Sequence, residues 1–131
     1  AIANDGQLVT PYLVDSTYNA SGERISLTGT TALGNVMSME TAQRTRDVLQ
    51  GVVENGTGME ARISGVNIAG KTGTAQTGKA RDDSWFVGMG PTEDCKLVIA
   101  IVLEEASDTG TNAAARANNV LKTALQVQGV R

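Results

Sequence analysis

Two stretches of the chain repeat their apolar residues at the three- to four-residue spacing of an amphipathic helix. The first begins near Ser38, whose hydroxyl can accept hydrogen bonds from free backbone amides, and stops at the glycine-rich turn 56–58. The second begins near Thr111 or Asn112 and ends at Gly129. The pattern predicts two helices, each with one buried face. In the first helix this face consists of Ala42, Thr45, Leu49, Val52 and Val53, and Val48 widens it. In the second helix it consists of Ala113, Ala114, Ala117, Val120, Leu121, Ala124 and Leu125.

Three stretches between these helices have the character of β-strands. Residues 66–76 begin with an apolar alternation, residues 84–89 follow a short polar connection, and residues 97–103 are apolar at every position. Uninterrupted apolar character indicates burial on both faces. The short connections predict an antiparallel three-stranded sheet in chain order, covered by helices, so the fold class is α+β. This order leaves strand 97–103 on an edge, which conflicts with its composition because an exposed apolar edge invites further pairing.

The first 37 residues give weaker signals. Residues 1–6 resemble the end of a helix, closed at Asp5-Gly6 because glycine tolerates a left-handed conformation. Extended stretches are predicted around residues 8–18 and 24–27, with turn residues at 19–22 between them. The segment 29–35 is predicted to be a loop.

Side-chain environments follow from residue type. Trp85 and Phe86 are predicted to lie in the core, as bulky aromatic residues usually do. Arg44 and Arg46 on the first helix are predicted to be solvated, because charges on the outer face of a helix usually serve solubility.

The composition excludes several functions. The chain has 131 residues, a formal net charge of −3 and no basic stripe, which argues against binding of nucleic acid. No apolar run is long enough to span a membrane. With no histidine and one cysteine, the sequence holds no zinc constellation, no Ser/His/Asp triad and no intrachain disulfide, so no metal or cofactor is predicted. That cysteine, Cys95, follows Glu93 and Asp94 in a predicted turn, where acidic neighbours oppose a reactive thiolate.

The strand around Lys71 carries the strongest candidate chemistry. By the two-residue period, Thr72 and Thr74 share one face, while Lys71, Gly73 and Ala75 share the other. Glycine within a strand suggests close approach of a ligand or another backbone. Threonine hydroxyls, backbone amides and a lysine suit a carboxylate or a developing oxyanion, and an extended peptide can pair with such an edge.

A nucleotide-binding loop is an alternative for the same residues. Residues 65–72 satisfy the Gly-x-x-x-x-Gly-Lys-Thr pattern, which needs a buried strand before it and a helix directly after it. The preceding residues 60–64 are too polar for a central strand, and Gly73 and Gly78 oppose a helix. The strand interpretation is therefore favoured.

The sequence resembles the penicillin-binding transpeptidases. Lys71-Thr72-Gly73 is similar to the Lys-Thr-Gly box that these enzymes share with serine β-lactamases. Residues 48–58 resemble the helix and Gly-Thr-Gly turn before that box, residues 84–88 the strand after it, and residues 1–6 with Pro11 the segment upstream. The resemblance covers nearly the whole chain and implies a β-lactamase/transpeptidase-like domain.

The resemblance assigns roles to the candidate strand. Lys71 and Thr74 are implied to be catalytic, through the positive potential of the lysine and an oxyanion-hole amide at Thr74. Thr72, Gly73, Thr74 and Ala75 are implied to bind substrate, with the two hydroxyls on its carboxylate and Gly73 allowing close approach. The implied ligands are peptidoglycan stem peptides and β-lactams, outside the bacterial plasma membrane, with any membrane anchor beyond this chain.

The nucleophile of such an enzyme is not encoded here. In the family a serine of a Ser-x-x-Lys motif is acylated and a Ser-x-Asn motif assists proton transfer, but no serine of this chain has lysine three positions on or asparagine two positions on. Residues 1–131 are therefore expected to be the C-terminal part of one transpeptidase domain, whose N-terminal remainder supplies the neighbour that strand 97–103 lacks. A non-catalytic β-lactam or peptide sensor on the same fold is an open alternative.

Overall fold

A computed structural model describes residues 1–107 and 110–129. Within them lie two α-helices, seven strands and two short 3₁₀ turns: 3₁₀ Ile2–Asn4, β1 Gln7–Val9, β2 Ser16–Tyr18, β3 Arg24–Leu27, β4 Ala32–Asn35, α1 Met39–Asn55, 3₁₀ Met59–Ala61, β5 Ala69–Ala75, β6 Asp83–Gly90, β7 Leu97–Leu103 and α2 Ala113–Val127. The α+β class with an antiparallel three-stranded sheet is confirmed.

The main sheet has the predicted order β5-β6-β7, and both pairings are antiparallel. Phe86 at the centre of β6 stands opposite Thr72 on β5 and Ile101 on β7, which places these three positions on one face. Helix α2 packs against β6 and β7, and α1 packs against β5. The helices therefore cover one side of the sheet, and the candidate strand forms its edge.

The core lies between this covered side and helix α2. Phe86, Leu121 and Leu125 are almost completely buried in it, together with a run of alanines on α2. The small alanine side chains let the helix approach the sheet closely, and Leu97, Ile99, Ile101 and Leu103 of β7 pack against the same cluster.

The opposite side of the sheet is open to solvent at four large apolar side chains of β6 and β7, and we call it the open face. Val98 is 63% exposed and Trp85 is 40% exposed, and the remaining members are Val87 and Val102. The prediction that β7 is buried on both faces is thus wrong for the described residues, and so is the core position of Trp85. An uninterrupted apolar pattern is what a strand packed on both faces would show. The described residues, however, supply helices for only one face of the sheet.

The N-terminal third forms two small antiparallel pairs that are separate from the main sheet. The predicted turn 19–22 joins β2 to β3, as expected. The predicted loop 29–35 is partly wrong, because Ala32–Asn35 pairs with β1 instead. Asp5 and Gly6 both adopt left-handed backbone conformations and end the opening 3₁₀ turn.

Helix α1 begins at Met39 after Ser38, whose hydroxyl accepts a hydrogen bond from the Thr41 amide at 3.1 Å. On this helix Val48 is mostly exposed rather than part of the buried stripe. Arg46 is only 9% exposed, and its guanidinium donates to Asp5 Oδ1 at 2.7 Å and to the Ile2 carbonyl at 2.6 Å. The prediction of a solvated Arg46 is wrong because the opening segment folds over this side of the helix.

Candidate functional site

The five candidate residues, Lys71 to Ala75, lie in one continuous strand, β5. On one side β5 pairs with β6, and on its other side no strand pairs with it within residues 1–107 and 110–129. A nucleotide-binding loop would need a helix after Lys71, and the extended conformation of residues 69–75 rules it out. The strand therefore presents a free main-chain edge, as the sequence predicts.

Two glycines of the sheet are required by packing within the chain. A Cβ atom built on Gly70 would overlap the ring of Phe86, and one on Gly88 would lie 2.5 Å from the same ring. Both positions must stay bare because the ring fills the space above them. These glycines are structural.

Gly73 differs from them. A Cβ atom at this position would meet only the Trp85 Cβ, at 3.4 Å, which is ordinary van der Waals contact. Its backbone lies in an exposed part of the edge strand. Nothing in the described chain therefore requires glycine here, which leaves the approach of a ligand or of another part of the protein as the reason for it.

The hydroxyls and the lysine lie on opposite sides of β5. Thr72, half-buried, and Thr74, exposed, are on the side of Phe86 and the helices. Lys71 is on the side of the open face, where its Nζ donates a hydrogen bond to the Thr72 carbonyl at 2.8 Å. A ligand lying along the edge of β5 could contact the threonine hydroxyls on the helix side of the sheet. The Lys71 ammonium group lies on the opposite side, at the open face.

An open groove of about 560 Å³ borders the strand at Thr74. Its lining is mostly polar and includes Glu60, Asp83 and Asn112. The Asp83 carboxylate accepts a hydrogen bond from the Glu105 amide at 3.0 Å, and the Asn112 side chain caps helix α2. The groove leaves room for an extended ligand that continues along the strand beyond Thr74.

One contact of the site involves a threonine of the turn 56–58, for which the sequence does not indicate a partner. Thr57, in the Gly-Thr-Gly turn after α1, has its Oγ1 2.7 Å from Thr72 Oγ1. The amides of Gly56 and Gly58 on either side both donate to the Val52 carbonyl at 3.0 Å, which folds the turn onto the end of the helix. The turn composition was visible in the sequence, but the pairing of two threonines 15 positions apart depends on how α1 packs on β5.

Two ionisable groups near the sheet have displaced pKa values. The hydrogen bond and charge of Glu105, with the charge of Glu104, raise the pKa of Lys79 in the β5–β6 connection. Burial raises the pKa of the Cys95 thiol, in the turn between β6 and β7. A protonated, half-buried thiol is a poor nucleophile, in agreement with its interpretation as a turn residue.

Among the described residues, no three side chains of histidine, cysteine, aspartate or glutamate are placed to ligate a metal ion. Neither helix in the described part of the chain has the length and apolar character needed to cross a bilayer.

The fold and the strand together define an α+β chain whose candidate residues lie along the free edge of an antiparallel sheet. A family model described as the penicillin binding protein transpeptidase domain matches residues 1–123. The chain belongs to this family.

Proteins similar in sequence to this chain include other penicillin-binding proteins and transpeptidases. Stage V sporulation protein D of Bacillus subtilis is 31% identical over all of this chain, which covers 22% of that protein. Peptidoglycan D,D-transpeptidase PbpA of Mycolicibacterium smegmatis is 32% identical over 82% of this chain, again 22% of the relative. The chain thus spans about a fifth of the length of these two relatives.

Solved structures show the same fold. The D,D-transpeptidase domain of a peptidoglycan glycosyltransferase from Eggerthella lenta is 54% identical, with a TM-score of 0.86 over 99% of this chain and 30% of that one. The imipenem acyl-enzyme complex of penicillin-binding protein A from M. tuberculosis is 31% identical, with a TM-score of 0.84 over 95% of this chain and 28% of that one.

Proposed function

We propose that residues 1–131 are the C-terminal part of one transpeptidase domain in a bacterial D,D-transpeptidase that cross-links peptidoglycan and is acylated by β-lactams. In this proposal β5 supplies the substrate-binding and oxyanion-hole strand, while the nucleophilic serine lies outside residues 1–131. The observation that carries the proposal is the free edge of β5, with Lys71 to Ala75 along it, in a chain of this family.

The reaction sets what the strand must do. A serine oxygen attacks the carbonyl carbon of a D-alanyl-D-alanine bond, the amide nitrogen of the terminal D-alanine takes up a proton and leaves, and an acyl-serine remains. With a β-lactam the ring C–N bond breaks instead, and both parts of the molecule stay attached. In both cases the carbonyl oxygen is transiently an anion, and the substrate carries a carboxylate.

The two threonines and Gly73 fit the carboxylate and the oxyanion. The Thr72 and Thr74 hydroxyls lie on one side of the edge and would donate to the carboxylate, and the Thr74 amide would donate to the oxyanion. The missing side chain at Gly73, which packing among the described residues does not require, would let the ligand backbone approach. Ala75 continues the strand along which the peptide would lie.

Lys71 fits a different task because of the side it occupies. Its ammonium lies on the side of the open face, away from the threonine hydroxyls, and its hydrogen bond to the Thr72 carbonyl involves only its own strand. We infer that its charge acts on groups that the rest of the domain brings to the open face, where the serine and its base would lie.

The open face supports the N-terminal remainder of the domain as the partner of this chain. Exposed valines and Trp85 on β6 and β7 form an apolar surface of the kind that proteins cover. Apolar side chains of the small N-terminal strands, such as Ile25, Leu27 and Leu33, are exposed as well. The solved domains are more than three times as long as the part that matches this chain, which leaves ample polypeptide to cover both surfaces.

The place of action follows from the substrate. Peptidoglycan stem peptides lie outside the plasma membrane, so we infer that this domain works on the extracytoplasmic side, held there by any anchor outside residues 1–131.

Labelling with a fluorescent penicillin tests this proposal. We expect covalent labelling of the complete protein and none of the isolated chain, because the nucleophile is elsewhere. Labelling of the isolated chain would contradict that assignment. Hydrolysis or transfer of a D-alanyl-D-alanine peptide by the complete protein is also expected, and its absence, with labelling retained, would indicate a sensor instead of a transpeptidase.

A further inference from the structure

The contact between Thr57 and Thr72 links the turn after α1 to the substrate strand. The two Oγ1 atoms are 2.7 Å apart, a normal distance for a hydrogen bond between hydroxyls. Thr57 lies at the tip of a turn that is fixed at both flanking glycines, since their amides bond to Val52 and a Cβ on Gly56 would lie 2.9 Å from the same carbonyl oxygen. The Thr57 hydroxyl is thus held against β5 by the end of the helix.

The direction of this hydrogen bond decides what Thr72 can do. A hydroxyl donates one hydrogen and accepts up to two. If Thr72 donates to Thr57, its hydrogen is used within the protein. If Thr57 donates to Thr72, the Thr72 hydrogen is free for a ligand, and a carboxylate, which only accepts, favours that direction.

We propose that Thr57 is a positioning residue that donates to Thr72 and thereby directs the Thr72 hydroxyl hydrogen to the substrate carboxylate. This inference rests on the proposed function and adds to it a residue from a second element. The three groups form a chain from Thr57 to Thr72 to the carboxylate, in which each hydrogen bond polarises the next. Thr57 acts through Thr72 and has no contact of its own with the ligand.

The test uses the complete protein and two β-lactams, benzylpenicillin and its methyl ester, which lacks the anionic carboxylate. Thr57→Val keeps the shape and removes the hydroxyl. We expect it to slow acylation by benzylpenicillin about three- to tenfold, the usual worth of one hydrogen bond, with little change for the ester. Because both rates are measured on the same preparation, their ratio does not depend on the fraction of protein that is folded.

Three comparisons complete the design. Thr57→Ser retains the hydroxyl and should restore the ratio of the two rates. In a Thr72→Val background, Thr57→Val should have no further effect, because the two residues act through one path. Thr123→Val removes a hydroxyl that bonds to a helix carbonyl on α2 at 3.1 Å and should leave both rates unchanged.

Each other outcome has a definite meaning. An equal loss with acid and ester would show that Thr57 supports only the shape of the turn. Acylation rates that do not change with either compound would show that the Thr57 hydroxyl plays no part. Either result overturns the inference. Additive losses in the double variant would mean that Thr57 touches the ligand itself, which also overturns it. If the unaltered complete protein is not acylated at all, the proposed function fails first, which separates the two failures.

Discussion

The ring of Phe86 on β6 lies directly over Gly70 on β5, in the space that any larger side chain at position 70 would occupy. Three positions further along the same strand, Gly73 has no such neighbour among residues 1–107 and 110–129. One edge strand therefore contains a glycine fixed by the protein core and a glycine that the core leaves free.

This difference predicts opposite effects of the same substitution. Gly70→Ala should destabilise the complete domain by about 1–3 kcal/mol, the usual cost of overpacking. Gly73→Ala should leave the melting temperature nearly unchanged but slow acylation by benzylpenicillin about ten- to a hundredfold, because the methyl group displaces the ligand. Thermal unfolding and acylation kinetics measure the two effects, and a Gly73→Ala protein that is acylated normally would remove this residue from the site.

Substitution of the polar groups of β5 should lower acylation without loss of the fold. Lys71→Ala is expected to reduce the acylation rate of the complete protein about a hundredfold or more, the typical effect of losing one electrostatic contact. Thr74→Val keeps the backbone amide and removes the hydroxyl proposed to bind the carboxylate, so it should reduce the rate about tenfold or more, the usual worth of a hydrogen bond to a charged group. Both side chains are exposed, so the melting temperature should change little. Normal acylation of either variant would exclude that residue from the proposed role.

Arg46 should contribute more to stability than the neighbouring Arg44. Arg46→Ala removes two hydrogen bonds of a buried guanidinium and should cost about 1–3 kcal/mol in the free energy of unfolding. Arg44 is 78% exposed and pairs with Glu40 at 2.8 Å, so Arg44→Ala should cost less than about 0.5 kcal/mol. Chemical denaturation of the complete protein compares the two variants. Equal losses in the free energy of unfolding would mean that the Arg46 contacts stabilise the protein no more than an exposed ion pair does.

Cys95 should react slowly with iodoacetamide. Burial raises the pKa of its thiol, so the folded protein binds the proton more tightly than the unfolded chain. The protonated thiol therefore contributes to the free energy of unfolding. This contribution is fully present below the thiol pKa of the unfolded chain and is lost as the pH rises through the thiol pKa of the folded protein. Alkylation followed by mass spectrometry should therefore show a higher midpoint pH for native protein than for protein in urea. Coincident midpoints would contradict the assigned burial.

Local patterns were sufficient to predict much of this fold. The alternation in 66–76 and the helical stripes around Ala42 and Leu121 fixed the main elements, because each buried face imposes its own spacing on the sequence. The extended Lys71 strand and its free edge were predicted as well. These features depend on neighbours that are close along the chain.

Features that depend on distant parts of the chain were missed. The buried Arg46 looks like an ordinary surface residue until the segment that carries Asp5 folds over it. The contact of Thr57 with Thr72 likewise joins two elements that the sequence could not orient. The roles of Lys71 to Ala75 are proposals, since they involve a substrate and a serine that we propose to lie outside residues 1–131.

The open face also gives the chain a built-in optical reporter. Trp85 is the sole tryptophan of the sequence, and it lies on this face with 40% of its surface in contact with water. Its emission spectrum should shift to shorter wavelengths when another segment covers β6 and β7. Assembly of the domain from two separately produced pieces can thus be followed directly in solution, with no added dye.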